Sequence, residues 1–300
     1  MSAGIVTVRP FQVDDLEAAA RFCEEARKRD PSIEPFAQRI GFIATGPRAV
    51  VDLWRVAESE DHRLHGIAFA ALRDVRERTT FDLYAAVDPS MRRQGLGRAL
   101  CAAALSWAAQ SIGPAVLRAR VRDDSACGRA FLAAMGFNET SAQLSLAWNG
   151  REKPLAPEMR ALRIRKADEK DQKTLERLSN EAWAGAADAF ASRADEIAQL
   201  FADEGKLALV AETAGRPMGY LSGVFLGRTL GIEEIAVLPE FRRMGIARAL
   251  VAHALGQCTS AVLSVGESNK PARALYRSFG FTQTARRIVM ELQSRQESAG

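Results

Sequence analysis

Val237-Leu238-Pro239-Glu240-Phe241-Arg242-Arg243-Met244-Gly245-Ile246-Ala247-Arg248-Ala249-Leu250 is the stretch from which the rest of the chain is read. An apolar run, Leu230–Val237, leads into it with strand character, and the proline stops that strand. Paired arginines and two small residues follow, and an apolar helical pattern resumes at once. The same pattern stands 150 residues earlier, as Val87-Asp88-Pro89-Ser90-Met91-Arg92-Arg93-Gln94-Gly95-Leu96-Gly97-Arg98-Ala99-Leu100. Unpaired N–H groups in a first helical turn, helped by the helix dipole, attract phosphate oxygens. Small residues at Gly95 and Gly97, and at Gly245 and Ala247, let phosphates approach the backbone, and the arginines add charge. For one copy alone, an ordinary glycine-containing loop before a helix explains the pattern equally well. A dinucleotide fingerprint is excluded because the third glycine is missing, and a P-loop because neither copy has Gly-Lys-Ser/Thr.

Three weaker echoes keep the same order. Arg9 answers Arg165, Ala115-Val116-Leu117 answers Ala261-Val262-Leu263, and Gly136-Phe137 answers Gly280-Phe281. A whole domain is therefore written twice. The expected division is residues 1–150, a linker at 151–161 rich in proline and mixed charge, and residues 162–300. Each copy reads as a strand (Ile5–Arg9; Leu162–Arg165), an acidic-started helix (Asp14–Lys28; Asp171–Trp183) and an irregular or helical segment, clearest at Ala187–Ala202. Three strands come next: Ala49–Ala57, Leu64–Arg73 and Thr79–Val87, matched by Leu207–Glu212, Met218–Phe225 and Leu230–Val237. A helix opens at the glycine motif, a strand and a helix ending in Gly-Phe follow, and a last strand closes each copy (Gln143–Trp148; Arg287–Leu292). The fold class is α/β (α+β), two tandem domains, each a mixed, mostly antiparallel sheet flanked by helices.

Composition bounds the function. The chain has 300 residues, 47% hydrophobic and 26% charged, which suits two globular domains and excludes long disorder. Lys+Arg number 41 against 37 Asp+Glu, a net charge of +4. Neither half carries the basic excess that nucleic-acid binding needs, so no nucleic-acid partner is expected. Cys23, Cys101, Cys127 and Cys258 form no CxxC, and with three histidines (His62, His65, His253) no metal site is expected. The cysteines read as reduced, packed small hydrophobes. No signal peptide is visible, and the longest apolar stretch, Ala99–Ala109, is too short to cross a bilayer. No membrane partner is expected, and a reducing cytoplasm fits best.

Val-x-Pro-x-x-Arg-Arg-x-Gly-x-Gly/Ala-x-Ala-Leu, with a downstream Tyr-x-x-x-Gly-Phe, resembles the GNAT superfamily of acyl-CoA-dependent N-acyltransferases over nearly the whole chain. The resemblance implies acetyl-CoA as acyl donor. Its pyrophosphate would lie on Arg242, Arg243, Met244, Gly245, Ile246, Ala247 and Arg248, and on Arg92, Arg93, Gln94, Gly95, Leu96, Gly97 and Arg98 in the first copy. Backbone at Ala236, Val237 and Leu238, or at Ala86 and Val87, would align the pantetheine arm, which Asn269 would also contact. The family's tyrosine four residues before Gly-Phe, a proton donor to the leaving thiolate, falls on Tyr276. The first copy has Leu132 there, and Ser125 opposite Asn269.

Acyl transfer to an amine also needs a proton acceptor. Strand alternation puts Glu233 on the face of Val237 and turns Glu234 away. The first-copy residue 150 positions earlier is Leu83. Glu233 reads equally as a base or as a solvated strand carboxylate. Tyr276 has a second reading too, a core aromatic on an amphipathic helix. Together the differences make the second copy the catalyst, an N-acetyltransferase acting by direct attack in a ternary complex, and leave the first non-catalytic. The resemblance implies a small-molecule or peptide amine as acceptor, with specificity set by Ala187–Ala202 and Leu221–Arg228, where Asp188, Asp195 and Glu196 either attract a cation or form a solvated face. Two rivals stand: a non-catalytic acyl-CoA-binding or sensing module, and an aminoacyl transferase using charged tRNA, which the weak basic charge disfavours. The residues leave the oligomeric state open.

Overall fold

The computed structural model describes residues 5–33, 50–74, 79–110, 115–150, 161–184, 192 and 194–293. Residues 151–160, nearly all of the expected linker, lie outside them, as do 187–191 and 193 of the segment Ala187–Ala202. The chain folds as two compact units, Met1–Ala142 with Arg287–Gly300, and Gln143–Arg286. The first contains β1 (Val6–Pro10), α1 (Leu16–Arg29), β2 (Arg55–Ser59), β3 (Leu64–Asp74), β4 (Thr79–Val87), α2 (Leu96–Gln110), β5 (Ala115–Arg122) and α3 (Ala126–Ala134), and β6 (Asn138–Trp148) begins there. The second contains β7 (Arg163–Lys166), α4 (Gln172–Trp183), α5 (Ala194–Ala202), β8 (Lys206–Thr213), β9 (Arg216–Leu226), β10 (Thr229–Val237), α6 (Ile246–Leu255), β11 (Ser260–Gly266) and α7 (Lys270–Arg277), and β12 (Thr282–Gln293) begins there. No described helix is long and apolar enough to cross a membrane.

The first helix of each copy follows from its spacing. Ala19, Phe22, Cys23 and Ala26 bury one stripe of α1, and Leu175, Leu178, Ser179 and Ala182 bury the same stripe of α4. Both helices start from one clamp. Arg9 donates to both carboxylate oxygens of Asp15 (2.7 Å each) and to Glu58 on β2 (2.7 Å). Arg165 does the same with Asp171 (2.6 and 2.7 Å) and Glu212 on β8 (3.0 Å). The bidentate guanidinium holds both aspartates below the usual carboxylate range. Asp15 then accepts from the N–H of Gln12, and Asp171 from that of Asp168, which ties strand to helix start. The echo of Arg9 in Arg165 is therefore the echo of a joint.

Within each unit the sheet has helices on both faces. In unit 1 Leu100, Cys101 and Ala104 of α2 pack with Phe81, Leu83 and Leu117, while Phe22 and Cys23 of α1 pack with Trp54, Ile67 and Phe69 on the other side. In unit 2 Leu250, Val251 and Leu255 of α6 cover Leu207, Leu209 and Leu230, and Leu175 and Leu178 of α4 cover Val210 and Tyr220. Neighbouring strands are antiparallel except β4 with β5 and β10 with β11. Of the four cysteines, Cys23 and Cys101 are buried as expected and Cys258 is half-buried, but Cys127 is exposed; all four are free. The strand expected at Ala49–Ala57 starts later, at Arg55, after a single turn of 3-10 helix at Val51–Leu53.

One expectation fails outright: a last strand does not close its own copy. Gln143–Trp148 of β6 pairs antiparallel with β11 and completes the second unit, where Leu144, Leu146 and Trp148 enter the core. Arg287–Gln293 of β12 pairs with β5 and completes the first, with Ile288 and Met290 in its core. Backbone ladders are blind to sequence, so two strands of similar alternation fit either slot. A fragment of residues 143–286 therefore keeps all six strands of its sheet, whereas residues 162–300 lose β6. In 162–300 only β12 is left to fill that slot, with side chains that pack against the other core, and such repacking costs about 1–3 kcal/mol or more. Calorimetry should show cooperative melting for 143–286 at a clearly higher temperature than for a monomer of 162–300; equal melting of the two would contradict the exchange.

Candidate functional site

The two glycine loops share one backbone. Arg93 and Gly95 have φ of 66° and 83°, and Arg243 and Gly245 have 65° and 86°. An arginine in the left-handed region costs about 1–2 kcal/mol, so the shape is imposed in both copies. Such turns gather successive N–H groups on one concave side. The first helical bonds run from Ala99 N to Gly95 O and from Ala249 N to Gly245 O. The N–H groups of Ile246, Ala247 and Arg248, and of Leu96, Gly97 and Arg98, precede them and find no acceptor among the described residues.

The loop arginines divide their work differently from expectation. Arg242 turns back to the last turn of α4, donating to Ala182 O (2.6 Å), and Arg92 turns to Asp30 at the end of α1 (2.6 Å). Both brace the loop against a helix C-terminus, where a cation is favoured. Arg248 donates to Ser278 Oγ (2.7 Å) and lies over the ring of Phe279, while Arg98 donates to Ala134 O (3.2 Å). All four make contacts within the fold. Arg93 and Arg243 are exposed and have no partner among the described residues. Gly97 also has a packing reason: a Cβ there would lie 2.9 Å from the Phe131 ring.

Beside each loop the sheet opens. β10 pairs with β11 only over Thr229–Ile232, yet stays on β9 as far as Val237. β4 likewise leaves β5 after Leu83. No strand among the described residues pairs with the outer backbone edge of Glu234–Val237, where the Val237 carbonyl accepts from Arg242 Nε (3.3 Å), and the slot suits an extended, hydrogen-bonding chain. Leu238 N donates inward to Met218 O, so alternation turns the N–H of Val237 into the slot.

A bulge sits where β10 parts from β11. Ile232 faces Gly223 and Glu234 faces Ser222 on β9, so Glu233 is an extra residue without a partner. Leu230 and Ile232 pack toward α6, but beyond the bulge it is Ile235 and Val237 that do so. This overturns the alternation argument. Glu234 points toward α4, and Glu233 reaches Lys206 (2.9 Å), whose strand neighbours Ala208 and Val210 face α4 too. Both carboxylates lie on one face, opposite Val237. β4 has no extra residue at this place. Register therefore matches Leu83 with Ile232 and Tyr84 with Glu234, and Glu233 has no counterpart. It also moves the expected Ala115–Leu117 echo by two positions, aligning Leu117 with Ala261.

The sequence reading passed over Glu234, and the structure makes it a centre. It is 4% exposed and accepts hydrogen bonds from Ser179, Trp183, Ser192 and Tyr220. Burial, then the carboxylate beside it, raises the Tyr220 phenol well above its usual range. The signal was faint: two polar residues, Ser179 and Glu234, at positions whose spacing marks them as core. In the first unit the same place is held by an aromatic pair, Tyr84 stacked on Phe69 at 4.7 Å.

Tyr276 lies on α7 in the core, 8% exposed, with its ring tilted against Phe281 at 5.6 Å. Its hydroxyl has no partner among the described residues, and burial pushes its pKa up to about 12. The Phe281 N–H bonds to Tyr276 O as the Phe137 N–H bonds to Leu132 O, so Leu132 is the true counterpart. Asn269 caps α7, accepting from Ala272 N (3.1 Å), while Ser125 makes no such bond. Asp188 lies outside the described residues.

A family model, "Acetyltransferase (GNAT) family", matches residues 20–137 and 173–281. Peptidyl-lysine N-acetyltransferase YjaB of Escherichia coli (strain K12) is 28% identical over 100 residues, 33% of this chain and 64% of that protein. The matched region thus spans under two thirds of that relative. A GCN5-related N-acetyltransferase structure from Sphaerobacter thermophilus superposes with TM-score 0.71 at 20% identity, covering 97% of this chain and 96% of the other. A tandem GNAT protein from the clavulanic acid biosynthesis pathway gives 0.73 at 20% identity, covering 98% and 100%.

The second copy holds Ala247 and Leu275 where the first holds Gly97 and Phe131. Gly97→Ala should cost about 1–3 kcal/mol through overpacking, and well under about 1 kcal/mol in a Phe131→Leu background. Urea unfolding of the double-mutant cycle checks this; additive costs would remove the ring as the reason for glycine.

Proposed function

The chain belongs to the acetyltransferase (GNAT) family, and from that premise we propose that it moves an acetyl group from acetyl-CoA to a primary amine, with the chemistry in the second unit. The observation that supports this most is the open slot of β10 beside a helix start whose N–H groups have no acceptor among the described residues. There the loop N–H groups and Arg243 would hold the pyrophosphate, with Arg242 bracing the loop. The edge of Ala236–Leu238 would align the pantetheine arm. A relative named for peptidyl-lysine supports an acceptor of lysine type, free or in a peptide.

The amine must lose a proton, and Glu233 is the exposed carboxylate beside the slot. It would accept that proton directly or through water, and Lys206 holds its side chain in place at 2.9 Å. The nitrogen attacks the thioester carbon, and the developing oxyanion meets the N–H of Val237. The C–S bond breaks as the carbonyl re-forms, and the thiolate departs. A phenol near pKa 12 is a weaker acid than a thiol near 8.5, so full proton transfer from Tyr276 is uphill by about 5 kcal/mol. Tyr276 therefore acts first as a hydrogen-bond donor to the sulfur as its charge builds. The first unit, with Leu132 in place of the tyrosine and no residue in place of Glu233, would do no chemistry.

Tyr276→Phe should lower kcat about ten- to a hundredfold with little change in acetyl-CoA affinity. Because the phenol stays protonated until about pH 12, wild type and variant should show the same pH dependence between pH 6 and 10. An unchanged kcat would remove Tyr276 from the reaction.

Calorimetric titration tests the reading as a whole. Acetyl-CoA should bind, and Gly245→Val, at a position where φ is 86°, should abolish the site of the second unit. Binding with no thiol release across a broad amine panel would instead favour a sensing module.

A further inference from the structure

Glu234 is a buried carboxylate with no ion-pair partner among the described residues, a placement that costs several kcal/mol unless hydrogen bonds replace water. Here they do. Oε1 accepts from Ser179 Oγ (2.8 Å) and Trp183 Nε1 (2.7 Å), both on α4. Oε2 accepts from Ser192 Oγ (2.5 Å) and from the Tyr220 hydroxyl on β9. Ser192 is gripped a second time, its N–H donating to Ser179 Oγ (2.7 Å). A carboxylate offers about four lone-pair sites, and four donors fill them. The group has no free lone pair for a substrate proton, although it sits one residue from Glu233 and on the same face.

We propose that Glu234 is a positioning residue for acyl transfer. It pins the end of α4 and the chain at Ser192 against the sheet, which fixes the wall beside Glu233 where the amine would dock, and it takes no proton itself. This rests on the function proposed above. The bulge supplies the geometry, since it brings Glu233 and Glu234 to one face and so places the proton acceptor next to its own brace. The first unit has neither the extra residue nor the carboxylate, and at the corresponding place Tyr84 stacks on Phe69.

Glutamine and alanine separate this role from general-base chemistry. An indole N–H only donates, so the amide oxygen of Glu234→Gln must face Trp183 and Ser179. Its NH2 then faces Ser192 and Tyr220, whose hydroxyls can rotate to accept. Glutamine thus preserves all four contacts without a buried charge, and alanine preserves none. Relative to wild type, Glu234→Ala should raise the acceptor KM about tenfold or more and leave the acetyl-CoA KM unchanged, while Glu234→Gln restores the acceptor KM to within about threefold with the pH profile intact. Hydrogen exchange at the Ser192 amide should quicken about tenfold in the alanine variant and not in the glutamine variant. A fall in kcat of about a hundredfold in Glu234→Gln, with loss of a limb of the pH profile, would make Glu234 the base and overturn the proposal. If wild type acetylates no amine, the function proposed above fails. The exchange contrast still decides the pinning: a difference between the variants upholds it, and equal exchange at Ser192 in both overturns it.

Discussion

An extra residue in one strand of a ladder buckles that strand. In the second unit this happens at Glu233, since Ile232 faces Gly223 and Glu234 faces Ser222 on β9. The slot beside it belongs to the fold of both units, because β4 leaves β5 after Leu83 with no extra residue just as β10 leaves β11 after Ile232. The extra residue reverses which side chains face α6, so that two carboxylates share the side of α4. The exposed and the buried carboxylate on that side are thus two results of one insertion. The loop and α6 would be a bare helix start without an edge beside them to guide a substrate.

What could be read in advance follows from where the information lies. The glycine loops were legible because their shape depends on a few residues at fixed spacing, and positive φ at Arg93 and Arg243 repeats to within a degree. Arg9 and Arg165 were legible for the same reason, each serving one local joint. Leu132 was a sound counterpart of Tyr276 because helix spacing counts residues faithfully. The bulge was not legible, because one more glutamate in a strand alters neither composition nor alternation of burial. Period two then carried Glu233 to the wrong face and matched it with Leu83. Strand exchange was hidden more deeply, since β6 and β12 each suit either sheet, and the choice between slots is made by the whole fold.

The two units also differ where no motif points. With the register corrected for the bulge, Asp82, Arg118, Arg120 and Arg122 occupy the places of Gly231, Val262, Ser264 and Gly266. In unit 1 these positions are bound up in ion pairs, Arg118 with Glu291 and Arg120 with Asp82 (2.9 Å each). In unit 2 Val262 is 42% exposed, and the small residues beside it leave the sheet face bare. One copy has filled this face with charge, and the other holds small residues there.

A chain is made in one direction, and the exchange of last strands gives the two units unequal histories. When β11 emerges, its partner β6 already exists. β5 must wait for β12 until the whole of Gln143–Arg286 has been synthesised, on the order of ten seconds at roughly 5–20 residues per second. Through that interval β5 is an open sheet edge, the kind of surface that recruits other chains. Its sequence, Ala-Val-Leu-Arg-Ala-Arg-Val-Arg, carries three arginines, whereas β11, Ser-Ala-Val-Leu-Ser-Val-Gly, has no charge. Charged side chains blunt such edges, so the strand left longest alone on the ribosome is the one equipped for solitude.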